Sequence, residues 1–369
     1  MGNFLSGIFC CSDCCGEPEP IHKVIQTGSR RQSNLTEVSS PSQLEVKQLT
    51  EVHKVNKLNK KSVNSILSQY NFQLDEKIGA GSYSTVFKAH LLADRNGLKK
   101  GQIVACKVVD ISPETKDRNK RMELVKNELF ILEKIKHKHI IQMYEHFIVE
   151  DHKLYLFMDY ASGGDLSGQL EQFGPFKEDQ CRTWFRQIVD GVSYLHGQKI
   201  AHRDLKLQNI LLDDNKKVMI TDFGLSQVSF RKEKEGVRKG GIQWSRTYCG
   251  TLPYMAPEIV KSYNKTVFYD PFAADIWALA VILFLLYNKT YPYNPESKSM
   301  ISLMNRKTLN WNRNVDKPSK ALSRLFDKLF EPDHDLRITI DRIKSHHWVT
   351  NELPNSNTTS DSPDLSTTT

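Results

Sequence analysis

"IAHRDLKLQNILLDD" (residues 200–214) and, shortly after it, "VMITDFGLS" (218–226) set three oxygen-bearing side chains on loops beside short hydrophobic runs. Asp204 and Asn209 stand five positions apart, and Asp222 follows a strand-like segment. Two carboxylates and an amide so placed suit a hard cation that takes oxygen ligands, Mg2+ above all. A carboxylate in such a loop also serves to align a hydroxyl for attack. The order HRDxxxxN, then DFG, then "MAPE" at 255–258 is too particular to arise by chance.

Upstream, "VACKVV" (104–109) sets Lys107 in the middle of an apolar strand, where an uncompensated ammonium is costly to bury. In the helix-like stretch "RMELVKNELFILEKIKH" (121–137), Glu128 falls on one stripe with Val125 and Leu132, the inward face by periodicity. Taken singly, each charge also reads as a snorkelling surface residue. Pairing them removes both anomalies. "IGAGSYSTVF" (78–87) lies between two strand-like runs, and its glycines let backbone N–H groups approach an anion. Alone it reads equally as a turn between strands, and it lacks the Lys that ends a Walker A loop.

Runs rich in β-branched and aromatic residues, "NFQLDEKI" (71–78), "STVFKAHLL" (84–92) and "IVACKVVDI" (103–111), predict strands. From Phe176 onward, Cys181, Phe185, Ile188, Val192 and Leu195 recur at helical spacing. Strands first and helices later imply an α+β chain in two lobes. "IWALAVILFLLY" (276–287) falls short of the roughly 20 residues a bilayer span needs, so it is expected to be a buried core helix.

The 369 residues, 39% hydrophobic and 25% charged, are enough for a substantial core and exclude a fibre or repeat array. A net charge of +8 is spread along the chain without a module that reads nucleic acid, so no nucleic-acid partner is expected. Seven cysteines, four crowded at the front and three isolated, do not form a disulfide framework and favour a reducing compartment. Residues 16–68 and the tail 350–369 are polar and poor in large apolar side chains, which predicts a disordered linker and a disordered tail.

On these motifs, residues 69–349 resemble a eukaryotic serine/threonine protein kinase. The resemblance implies the α+β bilobal protein kinase fold, with a small mostly-β N-lobe at about 69–157 and a larger mostly-α C-lobe at about 162–349. It implies ATP and Mg2+ as cofactors and protein substrates as partners. By that likeness a glycine-rich loop of Ile78, Gly79, Ala80, Gly81, Ser82, Tyr83, Ser84 and Val86 covers the phosphates, with Ser84 at the family's third glycine position. Lys107 would hold the nucleotide and pair with Glu128, and Met158 would back the adenine pocket. Asp159 and Tyr160 would form the hinge, with Asp165 near the ribose. Asp204 would orient the substrate hydroxyl, Lys206 neutralise the moving phosphoryl group, and Asn209 and Asp222 bind the metal. His202, Phe223 and Leu132 resemble a hydrophobic spine, Glu258 is expected to pair with Arg337, and Asp275 to bind the catalytic loop.

Lys206 together with Thr251 resembles the arrangement of kinases for aliphatic hydroxyls, while Leu207 and Gln208 replace the commoner Pro and Glu. The chain is similar to the calcium/calmodulin-dependent and AMP-activated kinase-like group, and its short tail to the testis-specific serine kinases. No basic amphipathic helix follows the kinase-like region to support calmodulin control. A membrane-anchored pseudokinase scaffold is the alternative; the complete set of catalytic residues argues against it.

Thr247 sits where many relatives are phosphorylated, so an upstream kinase is an expected partner. Its phosphate would order the loop against Arg203 and raise turnover. Ser33, behind two arginines, reads as a linker serine open to basophilic kinases. The opening "MGNFLSGIFCCSDCC" (1–15) lacks the basic n-region of a secretory signal, and its cysteines are too cramped for an ordinary zinc module. It matches the pattern for myristoylation at Gly2, with Cys10, Cys11, Cys14 and Cys15 as palmitoylation sites. Residues 1–15 are therefore expected to be a lipid anchor holding the chain at the cytoplasmic face of a membrane, since one myristoyl chain alone binds only marginally.

Overall fold

The computed structural model describes residues 63–81, 83–115, 117–149, 152–228, 245, 247–262 and 268–350. The expected anchor with Gly2, Cys10, Cys11, Cys14 and Cys15, linker residues 16–62, Ser82, and tail residues 351–369 lie outside the described residues.

The linker expected through residue 68 ends earlier. Helix α1 (Val63–Leu67) and a 3-10 turn (Ser68–Tyr70) precede strand β1 (Phe72–Ala80). Ile66 and Leu67 are buried, each worth about 1.5–3 kcal/mol when fully removed from water. Asn64 donates to the Leu74 carbonyl (3.3 Å) and accepts from the Leu74 N–H (3.1 Å), so one side chain imitates a neighbouring strand along the edge of the sheet. Three apolar residues, of which only Ile66 and Leu67 are buried, give too weak a pattern among their polar neighbours to signal a five-residue helix.

Strands β1, β2 (Ser84–Leu91), β3 (Ile103–Asp110), β4 (Met143–Val149) and β5 (Lys153–Met158) form an antiparallel sheet in the order β1-β2-β3-β5-β4. Strand alternation divides its residues between two faces. Val104, Cys106, Tyr155 and Phe157 join Phe72, Phe147 and α1 in one apolar cluster. Ala105, Val109, Leu154, Leu156 and Met158 face the other way, onto helix α2 (Arg118–Leu132) and the main core.

The second lobe is built on helices α3 (Leu166–Phe173), α4 (Glu178–Gly197), α5 (Pro257–Lys261), α6 (Pro271–Asn288), α7 (Met300–Asn305), α8 (Lys320–Leu329), α9 (Ile340–Lys344) and α10 (His347–Thr350). Two short hairpin-like pairs join it to the cleft: β6 (Ile200–Ala201) with β9 (Gln227–Val228), and β7 (Ile210–Leu212) with β8 (Val218–Ile220). The five α4 residues singled out by spacing are all buried. Helix α6 starts at Pro271, is capped by the Asp270 carboxylate on the Phe272 N–H (2.8 Å), and is buried at every residue from 273 to 288. The whole helix, longer than its apolar run, is long and apolar enough to cross a membrane by length and composition alone, but here it is the central core helix, as its sequence predicts.

Helix α10 and the capping residue of α8 are clamped to α4 by Glu178, which accepts from Trp348 Nε1 (2.6 Å) and Ser319 Oγ (2.6 Å). Beside it, His346 Nδ1 accepts from the Trp348 N–H (3.3 Å), a bond only the unprotonated nitrogen can take. Burial, with His347, Lys328 and Arg324 nearby, pushes His346 down to about 4. Below the ordinary histidine value the unfolded chain therefore binds the proton and the folded chain does not. Stability is fully present above about 6.5 and is lost as pH falls towards about 4. Allowing for partial solvent screening, the loss is on the order of 1–2 kcal/mol. His346→Gln should flatten that part of the melting-temperature profile; an unaltered acid slope would exclude His346 as its source.

Candidate active site

Lys107 lies at the centre of β3, on the face that looks to α2. Its Nζ donates to both Glu128 oxygens (2.7 and 2.8 Å) and stands 3.6 Å from Asp222 Oδ1. The pairing expected from two misplaced charges is thus formed, and a third carboxylate joins it. Burial pushes the Glu128 carboxyl up, so its charge depends on the Lys107 ammonium beside it. Burial alone would lower Lys107, but Glu128 and Asp222 outweigh it and hold the ammonium above its usual range. Burial likewise opposes the Asp222 charge, yet Lys107 and then Lys206 hold that carboxyl below the usual carboxylate range. The three charges compensate one another, which makes the burial of Lys107 and Glu128 tolerable, while the Asp222 side chain keeps 39% of its surface exposed.

The loop after β6 places the second cluster. Asp275, buried in α6, accepts from the His202 N–H (2.8 Å), the Arg203 N–H (2.8 Å) and His196 Nε2 (2.9 Å). Those bonds support Arg203 at φ +63°, a left-handed conformation that costs a non-glycine residue about 1–3 kcal/mol. His202 donates from Nε2 to the Thr221 carbonyl (3.0 Å) and accepts at Nδ1 from the Asp204 N–H (3.3 Å), which settles its tautomer. Its ring lies 5.1 Å from that of Phe223, and Leu132 is buried in the same core.

Four side chains then converge. Lys206 Nζ donates to Asp204 Oδ2 (2.7 Å) and to Thr251 Oγ1 (3.0 Å), and the Thr251 hydroxyl donates to Asp204 Oδ1 (2.8 Å). Asn209 Nδ2 donates to the Asp204 carbonyl (2.8 Å) and towards its Oδ2 (3.3 Å). Through its own carbonyl Asn209 holds the Thr221 N–H (3.0 Å), tying this loop to the residue before Asp222. Asp204 is thereby fixed in one orientation next to a cation, as a group that aligns a hydroxyl must be.

The donor chemistry fits Mg2+. With Asn209 Nδ2 turned to Asp204, the amide oxygen is the end available to a cation, and Asp222 supplies a carboxylate held ionised by Lys107 and Lys206. Mg2+ is bound through one or two such oxygens, with water and phosphate completing its shell. Asn209 and Asp222 are the residues that would hold it.

Among the glycine-rich residues, Gly79 pairs with Val86 and Ala80 with Thr85, so β1 runs further than its apolar pattern suggests, and the Gly81 N–H donates to the Ser84 carbonyl (2.8 Å). Val86 packs against the core, Ile78 is exposed, and Tyr83 lies under the Arg121 guanidinium at 4.7 Å from the ring centroid. Met158 is buried opposite Ala105. Two expected nucleotide contacts have other work in this structure. The Asp159 carboxylate accepts from the Gln142 N–H (2.9 Å) and from the Tyr144 hydroxyl, so its side chain braces β4. Asp165 Oδ1 caps α3 through the Gly168 N–H (2.9 Å).

Arg203 does not meet Thr247. Its guanidinium donates to the Leu225 carbonyl (2.7 Å), Gln227 Oε1 (3.0 Å) and Ser245 Oγ (3.0 Å). Thr247 accepts at its carbonyl from the Tyr269 hydroxyl (2.8 Å). Nothing in the sequence pattern signals Ser245, nor Asn127, whose amide reaches the carbonyls of Phe223, Gly224 and Ser226. A polar residue beside Glu128 reads simply as a solvent-facing helix position.

A family model described as "Protein kinase domain" matches residues 72–349. Among curated proteins, CBL-interacting protein kinase 26 of Oryza sativa subsp. japonica is 34% identical over 278 residues, covering 75% of this chain and 52% of that protein. CBL-interacting serine/threonine-protein kinase 13 of Arabidopsis thaliana is 33% identical over 281 residues, covering 75% and 51%. The chain spans about half the length of the curated relatives it matches.

Proposed function

The chain belongs to the protein kinase family, and on that premise we propose that it transfers the γ-phosphoryl group of Mg2+-bound ATP to serine or threonine hydroxyls of protein substrates. The observation that carries this reading is the pair of compensated clusters: Lys107 between Glu128 and Asp222, and Asp204 fixed by Lys206, Thr251 and Asn209. Phosphoryl transfer needs positioned charge and an aligned hydroxyl rather than a protein nucleophile. Lys107 serves the phosphates, Asn209 and Asp222 hold the metal, Lys206 neutralises developing charge, and Asp204 accepts the substrate hydroxyl's hydrogen bond. The glycine-rich turn from Ile78 to Val86 covers the phosphates through its backbone. Thr251 bonded to both Lys206 and Asp204 favours aliphatic hydroxyls. The CBL interaction in the relatives' names stays with those proteins, of which only about half is matched.

The test is Mg2+-dependent phosphorylation of a serine/threonine peptide library by the purified chain. Transfer by wild type that Asp204→Asn loses supports the reading; no transfer by wild type, or equal transfer by both, overturns it.

Membrane tethering through Gly2 and the cysteines at 10, 11, 14 and 15 is part of the same proposal, supported by the sequence pattern at residues 1–15. Fractionation of cells expressing the full chain should move Gly2→Ala and the four-cysteine replacement from membrane to supernatant. A wild-type chain that is already soluble would exclude the anchor. Thr247 remains the proposed site for an upstream kinase. Modification there would need Arg203 to exchange Ser245 for the new phosphate.

A further inference from the structure

On that reading of the site, we infer that Asn127 is a positioning residue, fastening the backbone after Asp222 so that its carboxylate stays aimed at Lys107 and the metal. The carbonyls of the four residues that follow Asp222 are all taken by two side chains. Asn127 Nδ2 lies 3.1 Å from the Phe223 oxygen, 3.1 Å from that of Gly224 and 2.7 Å from that of Ser226. Arg203 Nε takes the remaining one, Leu225, at 2.7 Å. Three carbonyl oxygens around one amide group leave no doubt which end faces them, since an oxygen there would be repelled.

The segment needs such a hold. Asp222 sits at φ +69°, a left-handed conformation that persists in a non-glycine residue only where its surroundings over-determine it. The same helix therefore grips Asp222 from two directions. Glu128 reaches its carboxylate through Lys107, which stands 3.6 Å from Oδ1, and Asn127 reaches its backbone through the residues that follow. The hold continues downward, because the Ser226 hydroxyl donates to the His202 carbonyl (3.2 Å) in the loop that carries Asp204. A helix displaced outward loses both grips together. Asparagine suits the position because it donates two hydrogens without charge; leucine of similar size would take the donor from the Gly224 and Ser226 carbonyls, while the Phe223 carbonyl would keep only the Ser226 N–H (3.1 Å).

The experiment uses the full chain as wild type, Asn127→Leu, Asn127→Ala and Asn127→Gln, with peptide phosphorylation across a Mg2+ titration and amide hydrogen exchange read in parallel. In Asn127→Leu, exchange at residues 223–228 should quicken about tenfold while α6 is unaffected, as expected when local hydrogen bonds are lost without global opening. Its kcat should fall roughly tenfold, the Mg2+ concentration for half-maximal rate should rise several-fold, and the peptide KM should hold. Asn127→Gln, which keeps the donor, should recover part of each change. Should Asn127→Leu fail to fold, Asn127→Ala carries the same expectations. Wild-type exchange at 223–228, a speed-up spread equally over α6, or a kcat loss with unchanged Mg2+ dependence would each overturn the inference. A wild type without turnover would remove the proposed function, and the exchange measurement would still decide whether Asn127 holds the segment.

Discussion

Asp204→Asn should lower the rate of phosphoryl transfer by about a hundred- to ten-thousand-fold, the range for losing a positioned general base or hydroxyl-orienting group, with little change in melting temperature. Asp204 Oδ2 faces the Lys206 ammonium and Oδ1 faces the Thr251 hydroxyl. An asparagine can keep its oxygen towards Lys206 and turn its NH2 to Thr251, whose hydroxyl has the lone pairs to accept from both. The fold therefore keeps its hydrogen bonds, while the site loses the negative charge that polarises the incoming hydroxyl. Peptide phosphorylation beside a thermal melt separates the two effects. Retained turnover would remove Asp204 from the reaction; a collapse in melting temperature would show that its charge is structural.

The parts of this site that were legible in the sequence are those where a residue contradicts its surroundings. Lys107 inside an apolar strand and Glu128 on an inward helix stripe each demanded a partner, and they are each other's. Asp204, Asn209 and Asp222 were legible because they interrupt hydrophobic runs at fixed spacing, and helix α6 because sixteen successive buried positions, 273–288, leave a continuous apolar record. Residues whose role depends on what folding brings near them left no such trace. Asn127 is an ordinary polar helix residue until segment 223–226 arrives against it. Asp159 looks like a hinge acid until the Tyr144 hydroxyl and the Gln142 N–H claim its carboxylate. Helix α1 lies outside residues 72–349, and its two buried side chains carry too little pattern to outweigh the polar residues around them. Arg203 shows both sides: a partner for its guanidinium was expected, but as the phosphate of a modified Thr247, whereas the partners present are the neutral oxygens of Leu225, Gln227 and Ser245.

Glu258→Gln should cost about 3–5 kcal/mol of stability, because it strands a buried guanidinium, and lower the melting temperature on the order of 10 °C for a domain of this size. The Arg337 side chain is wholly buried, and its two terminal nitrogens meet the two Glu258 oxygens at 2.7 and 2.9 Å. Carbonyls of Ala273 and Glu331, each at 2.8 Å, satisfy other N–H groups but supply no counter-charge. The pair therefore fixes α5 to the start of α6 and to the turn before α9. Replacing both partners by methionine should recover much of the loss, since an apolar pair of similar volume removes the stranded charge. Turnover should fall too, even well below the melting transition. Glu258 follows the 251–257 segment whose Thr251 bonds Asp204 and Lys206, so a loosened α5 releases that hydroxyl. Melting curves and kcat for Glu258→Gln, Arg337→Met and the double replacement decide the matter. A Glu258→Gln variant as stable as wild type would mean that the surrounding carbonyls, rather than the carboxylate, stabilise the guanidinium. A double replacement that recovered stability without turnover would show that the charged pair also sets the geometry of Thr251.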